Sequence, residues 1–92
     1  MISDILVVDD EADIRDLVAG ILQDEGYSVR TARNSDTALA AIRARKPALV
    51  VLDIWMTGGG MDGLELLDVL KGLDQDLPVI MISGHEIGRA HV

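Results

Sequence analysis

Short apolar runs alternate with longer amphipathic stretches along this chain, and the alternation predicts the element order β-α-β-α-β-α-β. Residues 5–8 (ILVV) are β-branched and too few for a helix, so they predict a strand buried on both faces. Ile14, Leu17, Val18, Ile21 and Leu22 recur at i, i+3, i+4, i+7 and i+8, which predicts one apolar helix face. Gly26 supplies a stop for that helix. Residues 27–32 (YSVRTA) alternate weakly and predict a second strand.

Asn34 or Ser35 caps a second helix, with Ala38, Leu39 and Ile42 on its inner face. Pro47 breaks the chain, and residues 48–52 (ALVVL) form the strongest buried strand in the sequence. Residues 54–62 predict a loop centred on Gly58-Gly59-Gly60. A third helix runs through Leu66, Leu67, Leu70 and Leu73, and residues 78–82 (PVIMI) predict the fourth strand. Nothing periodic follows Ser83-Gly84.

Strands that alternate with helices and read as continuous apolar runs predict an α/β fold, a doubly wound parallel sheet with helices on both faces. Ligand sites in such sheets lie at the carboxyl ends of the strands, where strand order reverses. Asp9, Asp10 and Glu11 follow the first strand, Asp53 the third and Ser83 the fourth. With strand order 2-1-3-4, the first and third strands are neighbours and bring Asp9, Asp10 and Asp53 together. Carboxylates sharing a pocket stay ionised only if a cation neutralises them. Few hard oxygen ligands completed by water suit Mg²⁺. A carboxylate beside Mg²⁺ can attack phosphorus, and a hydroxyl such as Ser83 can bond the transferred group. Taken singly, each part has a plainer role: an acidic run capping a helix, an aspartate in a turn, a serine in a loop. Three such features at one sheet edge are harder to explain as capping.

The chain has 92 residues and 49% hydrophobic content, enough for one small domain with a core. Its formal net charge of -8 argues against phosphate-backbone binding, so no direct nucleic-acid partner is expected. The absence of cysteine excludes disulfides, Cys-type zinc sites and thiol catalysis. Both histidines, His85 and His91, fall near the C-terminus, and no Ser-His-Asp or His-based zinc pattern is visible. No apolar run approaches the roughly 18 residues of a membrane span, and the N-terminus has no secretory pattern, so a cytoplasmic protein without membrane contact is expected.

With these motifs in place, the sequence resembles a receiver domain of two-component response regulators. ILVVDDE (5–11) resembles the family's first strand and acidic pair, and LVVLDIWM (49–56) the strand carrying its phospho-accepting aspartate. MDGLELL (61–67) resembles the Asp-Gly start of the third helix, and LPVIMISG (77–84) the fourth strand with its switch Ser/Thr. Within the family it is most similar to nitrogen-regulatory receivers of the NtrX type, through DILVVDDEADIRDLVAGIL, LDIW and ISGH. The resemblance implies a flavodoxin/CheY-like fold and a phosphoacceptor that assists its own phosphorylation and dephosphorylation without being an enzyme in the usual sense. It implies that Asp53 takes a phosphoryl group from a sensor histidine kinase. It implies that Asp10 binds Mg²⁺ directly, Asp9 mainly through water, and the Trp55 backbone carbonyl completes the protein ligands. It implies that Ser83 contacts the phosphoryl group and that an output domain lies downstream.

The chain also departs from the pattern. Receivers commonly carry Met-Pro after the acceptor, where Met56-Thr57 stands here, and the nine positions from Asp53 to Asp62 exceed the usual spacing. The fifth strand with its lysine and the last two helices are missing, so residues 1–84 are expected to be a partial receiver domain. Residues 85–92 fit no receiver pattern. IGRAHV back-translates as ATC-GGA-AGA-GCA-CAC-GTC, a sequencing-adapter sequence, so this tail is expected to be an artefact. A partial domain of this kind is expected to bind Mg²⁺ weakly and to self-associate through the exposed edge of the fourth strand.

Three other functions are weighed. A phosphorylation-independent interaction domain is an alternative on the same fold, and the intact Asp9, Asp10, Asp53 and Ser83 set speaks against it, whereas the missing elements speak for a fragment that does not work as a regulated switch. A phosphohydrolase of the haloacid-dehalogenase type would want an acid two residues after Asp53, where Trp55 stands. A nucleotide-binding domain needs a Gly-rich turn after the first strand, where Asp-Asp-Glu would repel phosphates.

Overall fold

The computed structural model describes residues 3–56 and 60–82. Ser83, His85, His91 and the rest of the 85–92 tail lie outside the described residues, as do Thr57, Gly58 and Gly59 of the loop. Four strands, β1 (Asp4–Val8), β2 (Ser28–Ala32), β3 (Leu49–Asp53) and β4 (Val79–Ile82), alternate with three helices, α1 (Ala12–Asp24), α2 (Ser35–Ala44) and α3 (Gly63–Leu73). All strand pairs are parallel, as the alternating pattern predicts, and the order is β2-β1-β3-β4, the order of the CheY-like fold that the resemblance implies. The chain winds outward from β1 to β2 and then crosses back to β3. The switch point therefore lies between the carboxyl ends of β1 and β3.

Side-chain alternation along the strands builds two cores. Leu6, Val8, Val50 and Leu52 face one side, with Ala38 of α2 and Leu66 and Leu70 of α3. Ile5, Val7 and Val51 face the other, against Val18 and Leu22 of α1. Strands flanked on both faces cannot afford polar positions, which is why β1 and β3 read as unbroken apolar runs.

The helix boundaries follow local chemistry. Of the two cap candidates for α2, Asn34 is the cap, accepting from the Thr37 N–H at 2.8 Å. Asp62 caps α3 by accepting from the Glu65 N–H at 2.8 Å, and Glu65 returns the bond to the Asp62 N–H. Gly26 follows α1 with φ +95°, the left-handed conformation a helix stop favours.

Two apolar stripes are only partly covered. Val18 and Leu22 of α1 pack on the sheet, but Leu17 and Ile21 are 59% and 55% exposed. A five-residue apolar face is wider than the contact a single sheet surface makes with α1. Leu73 of α3 is likewise exposed, because α3 reaches its capping residue Asp74 at that point. Tyr27 lies before β2 and is exposed.

At the amino edge of the sheet, Asp4 accepts from Arg30 Nη2 at 2.7 Å and from Arg45 Nε at 3.1 Å. The Arg30 guanidinium holds the Asp4 carboxyl below the usual carboxylate range, with Arg45 adding to the effect. This network ties the end of α2 to the start of β1, on the side of the sheet away from the acidic residues. None of the described helices is long and apolar enough to cross a membrane.

Candidate functional site

The acidic residues meet at the switch point. Asp9 leaves β1 and Asp53 ends β3, and both are fully buried, while Asp10 is half-buried beside them. Carboxylate oxygens of Asp9, Asp10 and Asp53 all lie within 4.8 Å of one another. Hydrogen bonding between β1 and β3 sets this convergence, pairing Val8 with Leu52 so that each aspartate follows at the same sheet edge.

Backbone amides orient the two buried carboxylates. The Glu11 N–H donates to Asp9 Oδ1 at 2.9 Å, and the Trp55 N–H donates to Asp53 Oδ1 at 3.0 Å. Arg15, one turn into α1, donates from Nη1 to the Asp9 carbonyl at 2.9 Å and fixes the turn after β1. Burial pushes the Asp9 carboxyl up to about 6, the Glu11 N–H bond opposes this, and neighbouring Asp53 and Asp10 push it further up.

The residues fit a small hard cation. Asp9 Oδ2 is buried without a hydrogen-bond partner, and the donors are three carboxylates with no nitrogen or sulfur among them. An oxygen-only set of this size, open to water on the Asp10 side, matches Mg²⁺ better than a transition metal.

The raised Asp9 carboxyl has a measurable consequence. A folded-state value of about 6 against the usual 3.8 means the stability available below pH 3.8 is lost as pH rises through 6. Asp9→Asn keeps an acceptor for the Glu11 N–H and removes the charge. In metal-free urea unfolding at pH 7.5, the variant is expected to be more stable by about 1–2 kcal/mol, after discounting for screening by water on the open side. The gap is expected to close toward pH 4. An equal or weaker variant at pH 7.5 contradicts this account.

The structure brings together Asp9, Asp10 and Asp53 and places Trp55 two residues beyond the last of them, 47% exposed. Ser83 lies outside the described residues, directly after β4. Three further residues shape the site through contacts that the sequence reading does not assign to them. Gly63 opens α3 against the end of β3, and a Cβ there would collide with the Asp53 carbonyl oxygen and with the Ile54 backbone. Ser35 is fully buried and accepts from the Met61 N–H at 3.0 Å. Arg15 holds the Asp9 carbonyl. Gly63 has a local signal as the glycine directly after a cap residue, and Ser35 as a cap candidate for α2, but neither signal gives the contact made. The partners of Ser35 and Arg15 are set by chain crossing, which periodicity does not reveal.

Comparison with known proteins gives a consistent picture. The profile of the response regulator receiver domain matches residues 5–90. The nitrogen assimilation regulatory protein NtrX of Azorhizobium caulinodans is 64% identical over 92% of this chain, a stretch that makes up 19% of that protein. The crystal structure of the receiver domain of NtrX from Brucella abortus is 64% identical and superposes with a TM-score of 0.83, covering 85% of this chain and 65% of that one. The response regulator TrrA from Thermotoga maritima, solved in complex with Mg²⁺-BeF, is 37% identical with a TM-score of 0.80, over 96% of this chain and 76% of that one. The chain thus spans about a fifth of the length of its NtrX relative in Azorhizobium.

Proposed function

Because the chain belongs to the response regulator receiver domain family of two-component systems, we propose that it accepts a phosphoryl group on Asp53 from a sensor histidine kinase, with Mg²⁺ bound by Asp9, Asp10 and Asp53. The observation that carries this reading is the convergence of three carboxylates at the switch point, two of them fully buried. Such a pocket is electrostatically unfavourable in isolation and is resolved by a divalent cation. The Mg²⁺-BeF complex of TrrA, 37% identical to this chain, supports the choice of metal.

In the proposed step, an Asp53 carboxylate oxygen forms a bond to phosphorus as the bond from phosphorus to the kinase imidazole nitrogen breaks, and the imidazole leaves with that electron pair. The Trp55 N–H at Asp53 Oδ1 holds the carboxylate plane for this approach. Asp10, the most water-accessible of the three, is the direct metal ligand, and Asp9 acts mainly through water. The Trp55 carbonyl completes the protein ligands, and Ser83 bonds the transferred group. Bound Mg²⁺ supplies positive charge that offsets repulsion between the carboxylates and the phosphoryl oxygens. Receivers are generally not enzymes in the usual sense, and here we propose that the same pocket also assists loss of the phosphoryl group to water. An output domain beyond this segment is proposed from the length of the NtrX relatives. Self-association along β4, where Ile80 is 52% exposed, is proposed as a secondary contact.

Trp55 is the chain's single tryptophan, so it reports on the pocket directly. Its emission is expected to change as millimolar Mg²⁺ is added, and Asp10→Asn and Asp53→Asn are each expected to weaken the response. Unchanged emission in a folded sample would count against the metal site.

A further inference from the structure

The geometry points to Ser35 as the positioning residue for the turn that opens α3, Gly60 to Gly63, and through Gly63 for the Asp53 backbone at the metal pocket; this rests on the receiver reading above. Ser35 is the first residue of α2 yet does not cap it, because Asn34 does. Its hydroxyl is fully buried and accepts from the Met61 N–H at 3.0 Å, across 26 positions of sequence. Burying a hydroxyl costs stability unless it is bonded, so a serine held at this position implies that the bond matters.

The surroundings give that bond leverage. Gly60, with φ +75°, lies so close that an added Cβ would stand 2.5 Å from Ser35 Oγ. Met61 packs on the core, Asp62 caps α3, and Gly63 meets the Asp53 carbonyl. At the other end, the Trp55 and Met56 N–H groups are bonded to Asp53 itself, and Met56 is fully buried. The start of α3 is therefore tied to α2 through Ser35 and to the acceptor strand through Gly63. Releasing the Ser35 anchor would leave the Met61 N–H without its partner. It would also loosen the approach of Gly63 to the Asp53 carbonyl, and with it the placing of the acceptor in the pocket.

The experiment compares wild type, Ser35→Ala, Ser35→Thr and Gly60→Ala. Two readouts are taken: the Mg²⁺ midpoint from Trp55 emission, and amide hydrogen exchange at Met61 without metal. Ser35→Ala is expected to raise the Mg²⁺ midpoint about tenfold, the scale typical of groups that support metal ligands, and to lose protection at Met61. Ser35→Thr, which keeps the hydroxyl, is expected to restore both. Gly60→Ala, which drives the chain off Ser35 from the opposite side, is expected to reproduce the loss. If Ser35→Ala does not fold, Ser35→Cys, similar in size and a weaker acceptor, carries the same comparison. A folded Ser35→Ala or Ser35→Cys protein with the wild-type midpoint and wild-type Met61 protection overturns the inference. If wild type itself neither responds to Mg²⁺ nor accepts phosphate on Asp53, the receiver reading fails, and this inference with it.

Discussion

Incubated with acetyl phosphate and Mg²⁺, the protein is expected to gain an acyl phosphate on Asp53 that hydroxylamine cleaves, and Asp53→Asn to gain none. Removal of a nucleophile that no neighbour replaces should lower the extent of labelling by at least ~10²-fold. The variant is a clean test because Asn retains an acceptor for the Trp55 N–H that holds Asp53 Oδ1 at 3.0 Å. It also removes one charge from a crowded pocket, so misfolding is not the expected cause of the loss. Mass spectrometry of the intact protein and of peptides reads the result. Label recovered on Ser83 or on a histidine in place of Asp53 would overturn the assignment.

Gly63→Ala is expected to destabilise the fold by about 2–3 kcal/mol in urea unfolding, the scale of an overpacked site that backbone must move to relieve. The added methyl group would meet the Asp53 carbonyl and the Ile54 backbone, neither of which can rotate away as a side chain would. Because the collision falls on the acceptor strand, phosphate acceptance should fall together with stability. Gly72→Ala, near the other end of the same helix, is the control. Its Cβ would meet nothing within 4 Å, so it is expected to stabilise by about 0.5–1 kcal/mol through helix propensity. Equal effects at the two glycines would show that propensity, and not the approach of α3 to Asp53, governs Gly63.

The difference between these two glycines illustrates what a linear pattern can carry. Both sit in one helix, and nothing in local spacing says that one touches the acceptor strand while the other faces open space. The five-residue stripe on α1 makes the same point. Periodicity identifies Leu17 and Ile21 as apolar-face residues, but only the width of the sheet contact decides that Val18 and Leu22 are covered and those two are not.

Strand and helix identity, their order, and the aspartates that end β1 and β3 are local properties. Burial on both faces demands continuous apolar runs such as ILVV and LVVL. A parallel connection demands a helix between them, and the polar residue that ends each run must lie at the carboxyl edge. The motifs around Asp9, Asp10 and Asp53 were therefore legible from the chain alone, and so was the receiver family. Distances, burial and clamps are properties of chain crossing. The adjacency of β1 and β3 brings three carboxylates within 4.8 Å and raises the Asp9 carboxyl, because hydrogen-bonded strands stand only about 5 Å apart and exclude water between their ends. Arg15 on the Asp9 carbonyl, Ser35 on Met61 and Gly63 against Asp53 join residues from separate elements. Those pairings arise only when α1, α2 and α3 dock on the sheet, since no periodicity along one segment encodes which atom of another will lie beside it.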